Sequence, residues 1–315
     1  MSTPTRPLLR VDANAFEALR DETAQITGLI PALIEKDYWV TEVLRAIVDP
    51  LSGADLVVFK GGTSLSKAYN IIERFSEDID LVVSTSLTGN AQKRLLRSLG
   101  ALVTNMTGLT STREHEGRGF LNARFEYDQS SEVPFLKPGV LLEIGTRGGS
   151  SPCLDRTIES IMAANAEFVT PGSRLDYLDL DSFPVAVLAP QRTLAEKLAF
   201  LHHRACEGDY TALTAGARHL YDVAQLLRHD PTLDALQGGV VTELMIDIDS
   251  RSETAGWGFT PRPVGGFANS PAFSSDPSIQ DALKSGYLAM RPLIWGEIPN
   301  FEDLISIVHT QASLI

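Results

Sequence analysis

The pattern of hydrophobic and polar positions divides the chain into two parts. Up to about residue 189, short runs of β-branched and aromatic residues, such as residues 56–59, alternate with segments of helical spacing. From Pro190 onward, leucines recur every three or four residues, as in an amphipathic helix. The pattern predicts an α+β fold, with a mixed sheet and flanking helices in residues 1–189 and a mainly helical domain in residues 190–315.

The same periods place the individual elements. A period of 3.6 residues predicts helices, and alternation or a short apolar run predicts strands. The predicted helices are 14–26, 31–48, 63–72, 91–106, 190–205, 216–229, 279–290 and 301–310. The predicted strands are 56–59, 78–83, 120–127, 139–145, 168–170 and 185–188. Two glycine-rich segments, 108–119 and 251–277, are predicted to be irregular.

The second glycine-rich segment carries four aromatic residues, Trp257, Phe259, Phe267 and Phe273. A segment of this length inside a compact domain is usually functional or mobile. Two roles are open for the aromatic side chains. They either stack on RNA bases beside neighbouring arginines, or pack the segment onto the helical domain.

Two aspartates share one predicted strand. Asp78 and Asp80 lie in the strand at 78–83, where side chains alternate between the two faces. Both carboxylates therefore point to one face, while Ile79 and Leu81 point into the core. Neighbouring anions repel each other unless a cation or a basic residue balances them. Because Mg²⁺ binds one or two protein carboxylates together with phosphates and water, the pair predicts a metal site.

A glycine turn follows the first predicted strand. Gly61 and Gly62 lack a Cβ atom, so the backbone can approach a phosphate closely and its N–H groups can form an anion cradle. Thr63 and Ser64 add hydroxyl groups to this turn. The turn is not a P-loop, because no Gly-Lys-Ser/Thr triplet closes it. The glycine pair and the aspartate pair are each common alone, but their combination after a buried strand favours a nucleotide site.

This region resembles a known family. KGGTSLSKAY at residues 60–69 and RFSEDIDL at residues 74–81 are similar to the first motif of the abortive-infection type IV toxin nucleotidyltransferases. This is the AbiEii/AbiGii family, a branch of the DNA polymerase β-like superfamily. The resemblance implies a polymerase β-like core, a glycine turn that holds a nucleoside triphosphate (NTP), and an aspartate pair that binds catalytic Mg²⁺ or Mn²⁺.

A third carboxylate extends the resemblance. Glu143 stands in the otherwise apolar strand LLEIG, and a carboxylate at such a position needs a partner or a metal ion. In the polymerase β-like superfamily a third carboxylate lies on a strand next to the aspartate pair, and this strand resembles that element. The alternative is a glutamate that is balanced by Arg147 or another arginine.

Two predicted helices of the second part resemble the later motifs of the family. The resemblance implies that Lys197, in the pair Glu196-Lys197, contacts the triphosphate, and that Asp222 with its neighbour Arg218 completes the site. A lysine suits phosphates because it is a point charge that can follow the leaving pyrophosphate. The alternative for Arg218 and Asp222, which are four residues apart, is a surface ion pair. The histidines of this region are predicted to be surface or packing residues.

The run Glu35-Lys36-Asp37-Tyr38-Trp39 also resembles the family, in which such a run precedes the first motif. From the residues alone, we favour a solvated charged turn beside a Tyr/Trp core contact over a catalytic role.

Composition and charge limit the classes of function. Of the 315 residues, 43% are hydrophobic and 21% are charged, which predicts a globular protein with one or two domains. The formal net charge of −13 argues against a general nucleic-acid coat, so an RNA partner would have to meet a local basic patch. No apolar run approaches a membrane span and the first residues lack a signal-peptide core, which predicts a cytoplasmic protein without a membrane partner.

Together these features predict a nucleotidyltransferase with NTP as substrate. The predicted metal ligands are Asp78, Asp80 and Glu143, and the predicted catalytic residues are Asp78, Asp80, Lys197 and Asp222. The predicted nucleotide-binding residues are Lys60, Gly61, Gly62, Thr63, Ser64, Ser76, Lys197 and Arg218. The resemblance implies a toxin that adds nucleotides to the 3′ end of tRNA and is restrained by a cognate antitoxin. The alternatives are transfer to a small-molecule or protein hydroxyl, and a non-catalytic nucleotide-binding module.

Overall fold

The computed structural model describes residues 6–51, 57–146 and 148–315. Leu56, in the first predicted strand, and Arg147, one predicted partner of Glu143, lie outside the described residues. The chain divides into two compact units, which we describe separately. The sheet unit comprises Met1–Thr63, Glu77–Thr146 and Asp155–Val187. The helical unit comprises Ser64–Ser76, Arg147–Leu154 and Leu188–Ile315.

Thirteen α-helices form within the described ranges. They are α1 (Ala13–Thr27), α2 (Pro31–Val48), α3 (Gly61–Lys67), α4 (Gly89–Thr107), α5 (Ile161–Val169), α6 (Ser173–Asp176), α7 (Pro190–Cys206), α8 (Tyr210–Ala215), α9 (Arg218–Leu226), α10 (Asp230–Ala235), α11 (Val240–Ala255), α12 (Pro277–Met290) and α13 (Phe301–Thr310). Short 3₁₀ turns lie at Leu9–Val11, Asp49–Leu51, Leu178–Leu180, Gln237–Gly239, Phe267–Asn269, Pro271–Phe273, Arg291–Leu293 and Ala312–Leu314. No helix in the described ranges is both long enough and apolar enough to cross a membrane.

Seven strands of the described chain form one mixed sheet. They are β1 (Val57–Lys60), β2 (Asp78–Val83), β3 (Thr110–Gly117), β4 (Phe120–Glu126), β5 (Val140–Gly145), β6 (Cys153–Ile158) and β7 (Phe183–Leu188). Their order across the sheet is β3-β4-β5-β2-β1-β7-β6. The strand β2 pairs antiparallel with β1 and parallel with β5, so it is flanked on both sides. Beyond β5, the strands β4 and β3 continue in antiparallel pairing.

One face of this sheet is apolar and covered by helices. Ile79 of β2 lies opposite Leu142 of β5, and both are fully buried. On β4, Leu121 continues this face and lies against Gly100 of α4. The strand period therefore sends the intervening residues of β2, β5 and β4 to the other face. The two aspartates of β2 lie on that other face.

The helical unit is built around its own apolar core. Fully buried leucines from several helices meet there, namely Leu194, Leu198, Leu201, Leu220, Leu283 and Leu304. The helix α7 contacts α8, α9 and α11, and α12 contacts α8 and α9. These positions follow the three- and four-residue spacing of the sequence, because that spacing gives each helix one apolar face.

Most predicted elements agree with the structure, but one helix, one irregular segment and one strand of the first part differ from it. The helix predicted at 63–72 is α3, which starts earlier and ends at Lys67. The segment 108–119 contains the strand β3, whose polar residues give no alternation of hydrophobicity because β3 is an exposed edge strand. The strand predicted at 168–170 is wrong, because the apolar run there belongs to the end of α5.

The charged run beside Tyr38 is buried, so the predicted solvated turn is wrong. Glu35, Lys36 and Asp37 lie in α2 and are each at most 5% exposed. A Glu35 carboxylate oxygen accepts hydrogen bonds from the backbone and hydroxyl of Ser130, and Asp37 accepts one from the N–H of Ile161. Lys36 donates to two backbone carbonyls. This turn of α2 therefore satisfies polar backbone groups of the loops that face it.

The long aromatic segment packs onto the helical unit through two of its four aromatic residues. The helix α11 continues to Ala255, so the irregular segment is shorter than predicted. Phe267 and Phe273 are buried, which favours the packing role for them, and His202 of α7 lies 2.9 Å from the hydroxyl of Ser270. Trp257 is 49% exposed.

The crossing of α12 and α8 allows a test of the helical unit. An ideal Cβ on Gly286 of α12 would lie 2.0 Å from the carbonyl oxygen of Thr214 in α8. We expect Gly286→Ala to destabilise the protein by about 1–3 kcal/mol through overpacking, measured by urea unfolding. The matched control is Gly100→Ala in α4, where the nearest atom is 3.5 Å away. The control should stabilise by about 0.5–1 kcal/mol through helix propensity, and equal effects of both changes would contradict the prediction.

Candidate active site

The central strands of the sheet bring charged residues together in one row. Asp80 of β2 lies directly opposite Glu143 of the parallel strand β5. On the other side of β2, Asp80 lies opposite Lys60 of β1. Register partners project to the same face, and neighbouring strands are about 4.8 Å apart. The structure thus brings two predicted metal ligands together beside a predicted nucleotide-binding lysine.

The row continues onto β4. Asn122 lies opposite Glu143, and its side-chain amide donates a hydrogen bond of 2.7 Å to a Glu143 oxygen. An amide orients the Glu143 carboxylate without neutralising its charge. Asp78 projects to the same face two residues before Asp80 and is buried, whereas Asp80 is half-buried. Lys137 has its ammonium 3.8 Å from an Asp78 oxygen.

Gly61 lies against the carboxylate of Asp80. The φ angle of Gly61 is +79°, a conformation that side chains disfavour. An ideal Cβ built on Gly61 would lie 2.1 Å from an Asp80 carboxylate oxygen. Gly61 therefore meets two requirements at once: it makes the turn between β1 and α3, and it allows the backbone to approach Asp80.

The two hydroxyl residues of the turn are buried. Thr63 is 1% exposed, and its hydroxyl donates a hydrogen bond of 2.5 Å to the backbone carbonyl of Asp78. This bond ties the start of α3 to the aspartate strand. Ser64 is fully buried, and Ser76 is half-buried. The single proton of the Thr63 hydroxyl therefore goes to this structural contact, and the phosphate contact stays a prediction.

Within the helical unit, the predicted residues Lys197 and Asp222 form a buried ion pair. Asp222 of α9 is fully buried, and one of its oxygens lies 2.8 Å from the ammonium of Lys197 in α7. Arg74 binds the same carboxylate in a bidentate manner, with two contacts of 2.7 Å. Burial opposes ionisation of Asp222, but the charges of Arg74 and Lys197 outweigh burial and hold its pKa well below the usual range. Asp222 is fully buried and Arg218 is exposed, so the alternative prediction of a surface ion pair between them is wrong.

Lys197 has a second partner. Its ammonium lies 3.1 Å from Nδ1 of His219, whose ring packs edge-on against Phe200. Burial and the charge of Lys197 lower the pKa of His219 well below its ordinary value, so the neutral ring accepts this hydrogen bond at neutral pH. Burial also lowers the pKa of Lys197, and the charge of Asp222 counters that effect. His219 is therefore a packing residue, as one of the two predicted roles has it, and its ring nitrogen also takes part in the charged group.

Sequence reasoning missed three side chains of these groups, Asn122, Arg74 and His219. Arg74 stands at the start of the motif RFSEDIDL, so a signal for it was present in the sequence. Its partner Asp222 is 148 residues away, and spacing along the chain does not reveal such a contact. An aspartate inside the apolar run of α9 was the other signal, because a buried carboxylate needs a cationic partner.

We call the aligned residues Lys60, Asp80, Glu143 and Asn122 the carboxylate row. Its oxygen donors fit a divalent metal such as Mg²⁺. Within the described ranges, no three His, Cys, Asp or Glu side chains are grouped closely enough to hold a metal ion by themselves. The row instead offers Asp80 and Glu143 as a pair of hard oxygen donors on adjacent strands. One or two protein carboxylates, completed by substrate phosphates and water, are the usual environment of Mg²⁺ at phosphate-transfer sites.

The mixed sheet, the aspartate pair and the glycine turn together are the features of a nucleotidyltransferase. The sequence model of one family, described as the nucleotidyl transferase AbiEii toxin of type IV toxin–antitoxin systems, matches residues 42–305. The chain therefore belongs to the AbiEii family. The predicted fold class, family and enzyme class are confirmed. Membership implies an NTP substrate and an antitoxin partner.

A solved structure of another toxin shares this fold. MenT4, a nucleotidyltransferase toxin from Mycobacterium tuberculosis H37Rv, is similar with a TM-score of 0.54 and 16% sequence identity, over 93% of this chain and 98% of MenT4. At this identity the similarity shows the fold alone. JHP933 from Helicobacter pylori has a TM-score of 0.43 and 18% identity, over 86% of this chain and 88% of that one, and supports no further comparison. No curated protein matches the chain in sequence.

Acid titration tests the Asp222 ion pair. Since the folded-state pKa of Asp222 lies below its unfolded value of about 3.9, its contribution to stability is present above that value and is lost as pH falls toward the folded pKa. We expect Asp222→Asn to cost about 3–5 kcal/mol at pH 7, because Arg74 and Lys197 lose their counter-charge. The deficit should shrink between about pH 5 and pH 3. The measurement is urea unfolding across this range, with the exposed Asp155→Asn as control, and a deficit independent of pH would contradict the assignment.

A substitution at Gly61 tests the close approach to Asp80. We expect Gly61→Ala to lower stability by about 2–4 kcal/mol, because an unfavourable φ is combined with a clash against the Asp80 carboxylate. The matched control is Gly172→Ala, which has a φ of +84° and nothing within 4 Å of an ideal Cβ. This control isolates backbone strain and should cost about 1–2 kcal/mol. Equal losses in urea unfolding would show that the Asp80 contact is unimportant.

Proposed function

We propose that this protein is a Mg²⁺-dependent toxin that transfers a nucleoside monophosphate from an NTP to the 3′ end of tRNA. The observation that carries the proposal is the placement of Asp80 beside Glu143, with Gly61 against the Asp80 carboxylate. Family membership supports the transfer reaction and the toxin role. The proposal includes a cognate antitoxin, and a location in the cytoplasm, where NTPs and tRNA are both present.

Asp80 and Glu143 would hold Mg²⁺ or Mn²⁺ together with substrate phosphates and water, and Asp78, on the same face, is proposed as a further ligand when the substrate is bound. A metal held by these carboxylates would supply positive charge to offset the phosphates and to activate the attacking hydroxyl. Asn122 orients Glu143 through its 2.7 Å hydrogen bond, which fixes one oxygen of that carboxylate. The bond between Thr63 and the Asp78 carbonyl keeps the aspartate strand in place beside the turn.

The remaining residues are proposed to bind the triphosphate. Backbone N–H groups at Gly61 and Gly62 would cradle phosphate oxygens, together with Lys60 and the region of Ser64 and Ser76. The 3′ hydroxyl oxygen of the acceptor forms a bond to the α-phosphorus, the bond from that phosphorus to the β-phosphate oxygen breaks, and the hydroxyl proton leaves to solvent. Pyrophosphate is the leaving group.

Lys197 is proposed to neutralise the charge that builds up on pyrophosphate, with Arg218 as a second cation. The buried group of Arg74, Lys197, Asp222 and neutral His219 carries two positive charges and one negative charge. A net positive charge in a buried group favours an anionic ligand such as a triphosphate. As part of this proposal, residues 1–189 form the nucleotidyltransferase domain and residues 190–315 the helical domain.

A second acceptor class is supported by one observation. The net charge of −13 disfavours approach to a polyanion and favours a small molecule or a protein hydroxyl as acceptor. The reaction at the carboxylate row would be the same, and only the source of the attacking hydroxyl would differ.

A transfer assay tests the proposal. Purified protein, Mg²⁺ and each α-labelled NTP in turn are incubated with total tRNA, and label in tRNA is measured. We expect one NTP to label tRNA, and Asp80→Asn to lower the rate by at least about a hundredfold, since charge stabilisation at such a site is worth that much. The control Asp155→Asn changes an exposed aspartate at the sheet edge and should leave the rate unchanged.

The negative outcomes separate the parts of the proposal. No labelled tRNA from a protein that still binds NTP with Mg²⁺ would refute the tRNA acceptor and favour a small-molecule or protein hydroxyl. Labelling that persists in Asp80→Asn at the wild-type rate would refute the metal site. Binding of neither NTP nor metal would refute the enzyme mechanism as drawn.

A further inference from the structure

A buried lysine contacts the residues just before β2 and β5, the two strands that carry Asp80 and Glu143. We call β2 and β5 the carboxylate strands. Lys36 of α2 is 1% exposed, and its ammonium donates a hydrogen bond of 2.7 Å to the carbonyl of Lys137 and another to the carbonyl of Gly139. The same ammonium lies 3.5 Å from a carboxylate oxygen of Glu77. These three acceptors match the three N–H donors of a lysine ammonium.

Glu77 closes this arrangement into a ring. Its Oε2 atom accepts a hydrogen bond of 2.8 Å from the backbone N–H of Lys137. Glu77 immediately precedes Asp78, the first residue of β2, and Gly139 immediately precedes Val140, the first residue of β5. The ring therefore joins the N-terminal ends of the two parallel strands through side chains, in addition to their backbone hydrogen bonds.

The register of these strands decides where the carboxylates lie. Asp80 follows Glu77 by three residues, and Glu143 follows Gly139 by four, so both carboxylates are within one short stretch of strand from the ring. A slip of one residue between the strands would send one carboxylate to the opposite face. Loss of pairing at the N-terminal ends of β2 and β5 would likewise change the distance between the Asp80 and Glu143 carboxylates.

Stability alone does not account for a charged pair at this position. Removing two ions from water costs free energy, and well-packed apolar residues of similar volume often stabilise a protein as much or more. An apolar pair, however, makes no directional hydrogen bonds. The ammonium of Lys36 fixes the positions of two backbone carbonyls, those of Lys137 and Gly139. The carboxylate of Glu77 fixes the backbone N–H of Lys137.

We propose that Lys36 is a positioning residue: with Glu77 it holds β2 and β5 in the register that places Asp80 beside Glu143, and thereby sets the affinity of this pair for a divalent metal. The inference rests on the proposed function in one respect, namely that these carboxylates bind the metal. Lys36 acts on Asp80 and Glu143 only through its partners, which are Glu77 and the backbone of Lys137 and Gly139.

Metal binding without turnover provides the test. Mn²⁺ alone is titrated into the protein, and free Mn²⁺ is followed by electron paramagnetic resonance. We expect Lys36→Met to weaken Mn²⁺ binding at least about tenfold, as is typical when a residue that orients a metal ligand is removed. The Mg²⁺ concentration for half-maximal transfer should rise by a similar factor. Lys36→Arg retains a charged donor and should recover part of the affinity.

A matched control separates positioning from general destabilisation. Glu42 lies on the same helix, is 3% exposed, and forms buried ion pairs of 2.5 Å with Arg10 and 2.8 Å with Arg45. Glu42→Gln removes a comparable buried charge whose partners do not belong to the carboxylate strands. We expect it to lower the melting temperature to a degree similar to Lys36→Met while Mn²⁺ binding stays within twofold of wild type.

Each outcome decides the matter. Mn²⁺ binding by Lys36→Met within twofold of wild type would overturn the inference. If Lys36→Met does not fold, Glu77→Gln decides, because it keeps an oxygen for the Lys137 N–H and loses only the charge facing Lys36; unchanged binding would again overturn it. Wild-type protein that binds no Mn²⁺ would overturn the proposed metal site and this inference together. Loss of binding in Asp80→Asn but not in Lys36→Met would overturn the inference alone.

Discussion

The backbone pairing of β2 with β5 and β1 is the constraint on which the carboxylate row depends. The register puts Asp80 opposite Glu143 on one side and opposite Lys60 on the other. The intervening residues, such as Ile79, are buried on the apolar face, so the register cannot slip without exposing them. The same period that builds the core thus also aligns the charged groups.

Buried charges are retained in both units because each has nearly complete pairing. In the sheet unit, Lys36 is bonded to Glu77 and two carbonyls. In the helical unit, Asp222 is bonded to Arg74 and Lys197. Isolated charges at these depths would cost several kcal/mol each, and partial pairing would leave most of that cost in place. Ion pairs of this kind add little net stability when complete, but removing one partner is costly because the other charge stays buried.

Local patterns predicted those features that depend on neighbours in sequence. The face shared by Asp78 and Asp80 and the long helices follow from side-chain periods. Contacts between distant residues did not follow, since nothing in the local pattern shows that Lys36 meets Glu77 or that Arg74 meets Asp222. The strand β3 was missed for a related reason: an exposed edge strand has no buried face and hence no alternation of hydrophobicity.

In the helical unit, the buried ammonium of Lys197 depends on an acidic neighbour. Burial disfavours the ammonium of Lys197, and the charge of Asp222 counters this effect. With Asp222 as its only partner, Lys197 would belong to a neutral ion pair, which attracts an anion weakly. Arg74 supplies a second positive charge on the same carboxylate, and neutral His219 takes one donor of Lys197 without adding charge. The four side chains together carry two positive charges and one negative charge, and under the proposed role of Lys197 a bound triphosphate would offset the excess.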